Sequence, residues 1–157
     1  MKIIVLAGGL STERDVSLSS AAGICRTLLE KGHDAFLLDV FMGLEHTPEN
    51  LEDVFTLPDH GLDIVKNIST EEPDLAAVKA SRPDQSDCFF GPNVIELCRL
   101  ADITFLGLHG GEGENGKLQA AFDLLGIKYT GPDSLGCAVA MHLSLIHISE
   151  PTRRVVI

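Results

Sequence analysis

At 157 residues, with 45% apolar and 22% charged side chains, the chain is long enough for one hydrophobic core and has the composition of an ordinary globular domain. Its formal net charge of -11 argues against nucleic acid, whose binding requires clustered Lys and Arg to displace counterions. No apolar run reaches the length of a membrane span and no basic-then-apolar segment opens the chain, so the reading is a cytoplasmic protein with no membrane partner. Cys25, Cys88, Cys98 and Cys137 form no CxxC pair and have no histidine at ligand spacing. They are read as reduced, buried thiols, and no metal-ligating set is assigned.

In chain order, residues 2–7 (KIIVLA) predict a strand that runs into Gly8 and Gly9. Val16, Leu18, Ala21, Ala22, Cys25, Leu28 and Leu29 then repeat at helical spacing as far as Lys31 and the stop at Gly32, with Thr12 and Asp15 resembling a capping box. Residues 35–40 (AFLLDV) predict a second strand, completing a right-handed βαβ unit. From about residue 41 to 92 the pattern weakens, and 11 of the chain's 23 acids gather there against 3 basic residues. Within it, 48–55 reads as a short helix capped by Thr47, 62–68 is ambiguous and 69–87 reads as a surface loop; the whole is taken as a solvated acidic insertion. Order returns with a helix over 93–100 capped by Asn93, a strand over 103–108, a helix from about 116 to 125 capped by Asn115 and stopped by Gly126, a short strand over 127–130 and a helix over 133–141. The fold class is α/β, a small parallel sheet with helices on both faces.

Two strands of this scheme end in glycines: the first in Gly8 and Gly9, the later one in His109, Gly110, Gly111, Glu112, Gly113, Glu114, Asn115 and Gly116. In open α/β sheets ligands bind at those carboxyl ends, so the two loops should share one crevice. There is neither a GxGxxG fingerprint nor a Gly-Lys-Ser/Thr loop, which disfavours a dinucleotide or P-loop site. Glu13 has two readings: a carboxylate that grips an ammonium group, or an acid placed in a helix's first turn. His109 would meet a ligand or shuttle a proton, or would simply bond a loop carbonyl. Glu112 and Glu114 read as solvated loop acids.

With those residues set out, GGLSTERDVSL (Gly8, Gly9, Ser11, Glu13, Arg14, Val16, Ser17) resembles the opening motif of the D-alanine–D-alanine ligases. LHGGEGENGKLQ (His109, Gly110, Gly113, Glu114, Gly116, Gln119) resembles that family's second motif, and YTGPDSLGCAVAM its third. The resemblance implies that residues 1–141 form a Rossmann-like, pre-ATP-grasp amino-terminal domain carrying the acidic insertion. It implies an ATP-dependent ligase that joins two D-alanines through an acyl phosphate for peptidoglycan, with ATP and Mg2+ (or Mn2+) held by residues outside this chain. D-alanine is the implied partner, and a homodimer is consistent with the family. Glu13 and His109 are the implied catalytic residues: Glu13 on the ammonium of the first D-alanine, His109 beside its carboxyl group and the acyl phosphate. Gly8, Gly9, Val16, Ser17 and Gly110 are the implied substrate-binding positions.

Asn115 departs from the Asp usual in the family, and after Met141 the family's Asp-Lys gives way to His142 and LSLIHISEPTRRVVI. Residues 142–157 therefore read as a non-native tail on a truncated chain, expected to be inactive alone. A ligase making D-alanyl-D-lactate or D-alanyl-D-serine, and a non-catalytic small-ligand module of the same topology, are the alternatives.

Overall fold

The computed structural model describes residues 1–44, 48–65 and 72–142. Three parallel strands, β1 (Lys2–Ala7), β2 (Asp34–Asp39) and β3 (Ile103–Leu106), form a sheet in the order β2-β1-β3. The register sets Val5 beside Leu37 and Phe105. Central strand β1 is buried on both faces, as a near-continuous apolar run requires. The period of two divides it: Ile3, Val5 and Ala7 face helix α1 (Arg14–Glu30), while Ile4 and Leu6 face the opposite layer.

Helix α1 presents Leu18, Ala21, Ala22 and Cys25 to the sheet at 3.6-residue spacing and ends at Lys31 and Gly32, the latter at φ 79°. Two expectations for it are corrected. Val16 lies off the stripe and is 61% exposed. The helix begins at Arg14 with Glu13 as its N-cap, and no side chain caps it, so Thr12 and Asp15 form no capping box. The turn is closed instead by backbone bonds, Arg14 N to Ser11 O at 3.1 Å and Ser17 N to Glu13 O at 2.9 Å.

The second layer holds α3 (Val94–Leu100), α5 (Lys117–Leu125) and residues of the acidic segment. That segment is largely exposed among its described residues, as expected of a solvated insertion, but a few of its side chains are packed. A 3-10 turn, Leu51–Thr56, buries Val54 and Phe55 against β1 and β2, and its cap is Asn50, whose side chain accepts from Glu52 N. Thr47, the cap read from the sequence, lies outside the described residues, as does the end of the ambiguous 62–68 stretch, whose described part is a 3-10 turn over Leu62–Val65. The supposed loop over 69–87 contains helix α2 (Leu75–Ser81), capped by Asp74 through Ala76 N and Ala77 N. Arg82 follows, 1% exposed, paired with Asp84 at 2.7 Å and stacked over Phe41 at 4.8 Å. Leu37 N donates to His60 O at 2.9 Å, so the segment also covers the free edge of β2.

Three further differences are local. Asn93 precedes α3 at φ 63°, a left-handed rather than the extended backbone of a capping residue, and makes no capping bond; its Nδ2 donates to Leu44 O at 2.8 Å. A single turn, α4 (Gly111–Glu114), occupies the glycine loop, and Gly116 rather than Asn115 is the N-cap of α5. Residues 127–130 form one parallel bridge, Thr104 with Tyr129, instead of a strand. The ladder stops because Leu106 N donates to the Thr130 hydroxyl at 3.1 Å rather than to a carbonyl. Helix α6 (Ser134–Met141) closes the described chain, capped by Asp133 through Gly136 N at 2.7 Å. Cys25, Cys98 and Cys137 are buried free thiols, and Cys88 is exposed. Burial pushes Cys25 up to about 11 and Cys98 up to about 12. No described helix is long and apolar enough to cross a membrane.

Candidate functional site

The site is built where β1 and β3 end. Gly8 and Gly9, at φ 75° and 85°, turn the chain out of β1 toward α1. Gly8 is required by contact as well as by angle, since a Cβ there would fall 2.6 Å from the Asp39 carboxylate. Its N–H donates to Ser17 Oγ at 2.9 Å, and that hydroxyl donates onward to Gly107 O at 2.7 Å. Ser17 is fully buried, so it ties the ends of β1 and β3 together, and its hydroxyl is consumed by the fold.

The crevice carries Glu13, His109 and Glu114, whose ligand-capable atoms all lie within 4.8 Å of one another. Ser11 Oγ donates to His109 O at 2.7 Å, which lashes the α1 entry to the end of β3. Gly110, at φ 67°, leaves open the space in which a Cβ would stand 3.6 Å from Glu13 Oε2. The imidazole Nε2 lies 3.4 Å from Ser20 Oγ, and Ser20 itself donates to Ser17 O at 3.1 Å. The Ser20 hydroxyl thus stands between the Ser17 carbonyl and the imidazole edge.

Of the residues singled out from sequence, Glu13 and His109 meet at the crevice beside Gly110, while Gly8 and Gly9 close against His109 and Gly110 in a tight seam with Ser11 and Leu108. Val16 points to solvent. Glu112 is half-buried and pairs with Lys117 at 3.5 Å. Glu114, read as a solvated acid, joins the carboxylate–imidazole group and also borders an apolar cavity of about 320 Å³ between β3, α5 and α6. Gln119 supports the loop from below, with Nε2 donating to Gly113 O at 2.8 Å.

Sequence reasoning passed over one pair altogether. Arg14 and Asp39, 8% and 4% exposed, form a buried ion pair, and Arg14 Nη1 donates to Gly9 O at 2.8 Å. An acid closing an otherwise apolar strand was the available signal.

Electrostatically the crevice suits a cation. Two carboxylates flank the imidazole, while Arg14 and Lys117 are spent on Asp39 and Glu112. That balance is wrong for a triphosphate, so the residues present do not fit ATP. Two carboxylates and an imidazole would suit either an ammonium group or a small metal ion.

Fold and site together define an α/β domain with an anionic crevice at the carboxyl edge of its sheet. Residues 2–132 match the family described as D-ala D-ala ligase N-terminus, and the chain belongs to that family. It is 46% identical over 144 residues to the D-alanine–D-alanine ligase of Lacticaseibacillus casei, a match covering 90% of this chain and 39% of the relative. It is 47% identical to the corresponding ligase of Pediococcus pentosaceus, over 90% of this chain and 40% of the relative. The chain thus spans about two fifths of the length of these relatives. Among solved structures, the VanG D-Ala:D-Ser ligase from Enterococcus faecalis superposes with a TM-score of 0.54 at 27% identity, over 94% of this chain and 40% of that one. The D-alanine–D-alanine ligase from Bacillus anthracis complexed with ATP has the same fold, with a TM-score of 0.55 at 20% identity, over 94% of this chain and 35% of that one.

Proposed function

We propose that this domain supplies the first-substrate wall of an ATP-dependent ligase joining D-alanine units for peptidoglycan, in the cytoplasm. The observation that carries the proposal is the meeting of Glu13 and His109, from the two motif loops, within 4.8 Å. Glu13 accepts from the ammonium of D-alanine; a charge-assisted bond of this kind contributes about 1.5–3 kcal/mol. His109 stands beside the carboxyl group, with its Nε2 at 3.4 Å from Ser20 Oγ. Gly110 keeps a side chain out of the space between them.

By family resemblance ATP would be the source of the activating phosphoryl group and magnesium would offset its charge, neither being held by the residues of this crevice; homodimer formation is proposed on the same ground. Because Glu13 and His109 address the first amino acid, the reading applies equally to ligases whose second substrate is D-lactate or D-serine. Assaying a ligase-length protein with each acceptor separates these. Residues 1–141 are proposed as the domain and 142–157 as a tail outside it; residues 1–157 alone should show no D-alanine-dependent ATP turnover.

The test is a D-alanine titration of the chain followed by NMR. Glu13 side-chain and His109 ring signals should shift together in the wild type, and the His109 ring signals should stay fixed in Glu13→Gln. Shifts that persist in Glu13→Gln would remove Glu13 from the substrate site. A response to zinc but not to D-alanine would replace the amino acid by a metal ion.

A further inference from the structure

The first turn of α1 is fastened to all three strands. Ser17 bridges the ends of β1 and β3, Ser11 holds the carbonyl of His109, and Arg14 reaches the end of β2. The third tie is the unusual one. Arg14 Nη2 pairs with Asp39 Oδ2, Nη1 donates to Gly9 O at 2.8 Å, and Asp39 Oδ1 accepts from Phe41 N at 2.9 Å and Met42 N at 3.1 Å. Asp39 also fills the space that a side chain at Gly8 would take. Both oxygens of the acid and two nitrogens of the guanidinium are therefore engaged, and the turn after β1, the end of β2 and the start of α1 meet at one point.

A buried ion pair is a poor device for stability alone, because apolar residues of the same volume commonly do as well or better. What such a pair specifies is geometry: a planar fork with fixed donor directions fits one arrangement of acceptors. Glu13 is the residue immediately before Arg14, is exposed, and makes no side-chain capping bond of its own. We propose that Asp39, acting through Arg14, is a positioning residue that fixes Glu13 over Gly110 and opposite His109. The placement of Glu13 follows from the geometry; its consequence for D-alanine rests on the function proposed above.

The 157-residue chain itself serves for the test, with Asp39→Asn and Arg14→Lys as the variants. Asn keeps the shape and one acceptor oxygen, and Lys keeps the buried charge but reaches only one of the two acceptors, so both favour a retained fold. Phe55→Leu serves as the control, since it loosens the core away from the crevice. Two quantities are read: the nuclear Overhauser contact between the Glu13 side chain and Gly110, and the D-alanine concentration at half-maximal shift. Asp39→Asn and Arg14→Lys should lose the contact and weaken D-alanine about tenfold or more, as small misplacements of a binding group do. Phe55→Leu should lower the thermal midpoint and leave both readings unchanged. The proposal is overturned if the contact survives in Asp39→Asn and Arg14→Lys, or if Phe55→Leu erases it to the same degree. A wild-type chain that ignores D-alanine sinks the proposed function, while the Glu13–Gly110 contact still decides the role of Asp39.

Discussion

Replacing Ser17 with Ala tests whether this motif serine holds the fold or the substrate. Its hydroxyl accepts from Gly8 N at 2.9 Å and donates to Gly107 O at 2.7 Å, with no exposed surface at the residue. Alanine leaves one buried donor and one buried acceptor unpaired, at about 1–3 kcal/mol each. Better helix propensity at that position returns about 0.5 kcal/mol. The net loss is therefore about 2–5 kcal/mol, which for a domain of this size lowers the thermal midpoint by roughly 5–15 °C. Urea unfolding followed by far-ultraviolet circular dichroism measures it, and the midpoint should move with the slope unchanged. Ser20→Ala, at an exposed site, serves as the reference and should lose less than about 0.5 kcal/mol. A Ser17→Ala loss under about 1 kcal/mol, or one equal to that of Ser20→Ala, refutes the reasoning and returns Ser17 to the list of substrate contacts.

Gly61→Ala and Gly32→Ala share a left-handed backbone, at φ 73° and 79°, but a Cβ at Gly61 overlaps Leu37 O whereas one at Gly32 meets nothing. Gly32→Ala should cost only the conformational penalty of about 1–2 kcal/mol, and Gly61→Ala clearly more, read as two separated urea midpoints. Stability should also fall with alkali. Burial holds the thiols of Cys25 and Cys98 near 11 and 12, above their ordinary value of 9, so from pH 9 upward the unfolded chain loses protons that the folded chain keeps. The two together predict a loss of about 3 kcal/mol at pH 10 relative to pH 7, measured by urea unfolding under reductant. A flat profile between pH 8 and 10 contradicts it. A thiol reagent at pH 8 should titrate one fast cysteine, the exposed Cys88, and the other three only with urea; Cys88→Ser should abolish the fast phase.

What could be read from the sequence depended on periodicity. β1, β3 and α1 carry long apolar patterns, and their partners in the sheet and second layer followed from them. Glu13 and His109 were singled out because strand-to-glycine junctions sit where such sheets bind ligands, and the structure brings the two together. Helix α2 was missed because seven residues between acids and prolines have too few turns to show a period. Phe55 was misread because its burial is imposed by β1 and β2 from far along the chain. Capping fared worst at Asn93 and Asn115: Asn93's amide serves Leu44, and Asn115 accepts from Lys117 N without being the cap. Asp39 and Arg14 could not be paired from spacing, since nothing local indicates that a strand-end acid and a helix-start arginine converge.

Residues 43 and 91 lie back to back where the acidic segment leaves and rejoins the domain. A Cβ on either glycine would strike the backbone of the other strand of this neck, and Gly91 N donates to Val40 O while Leu44 N donates to Pro92 O. The segment therefore departs and returns through one closed doorway, and its length is decoupled from the spacing of β2 and α3. Chain can be added or removed beyond the doorway at the slow logarithmic cost of loop closure, provided the tips that touch β2 are kept. That makes the neck a natural junction for grafting a foreign loop onto this domain.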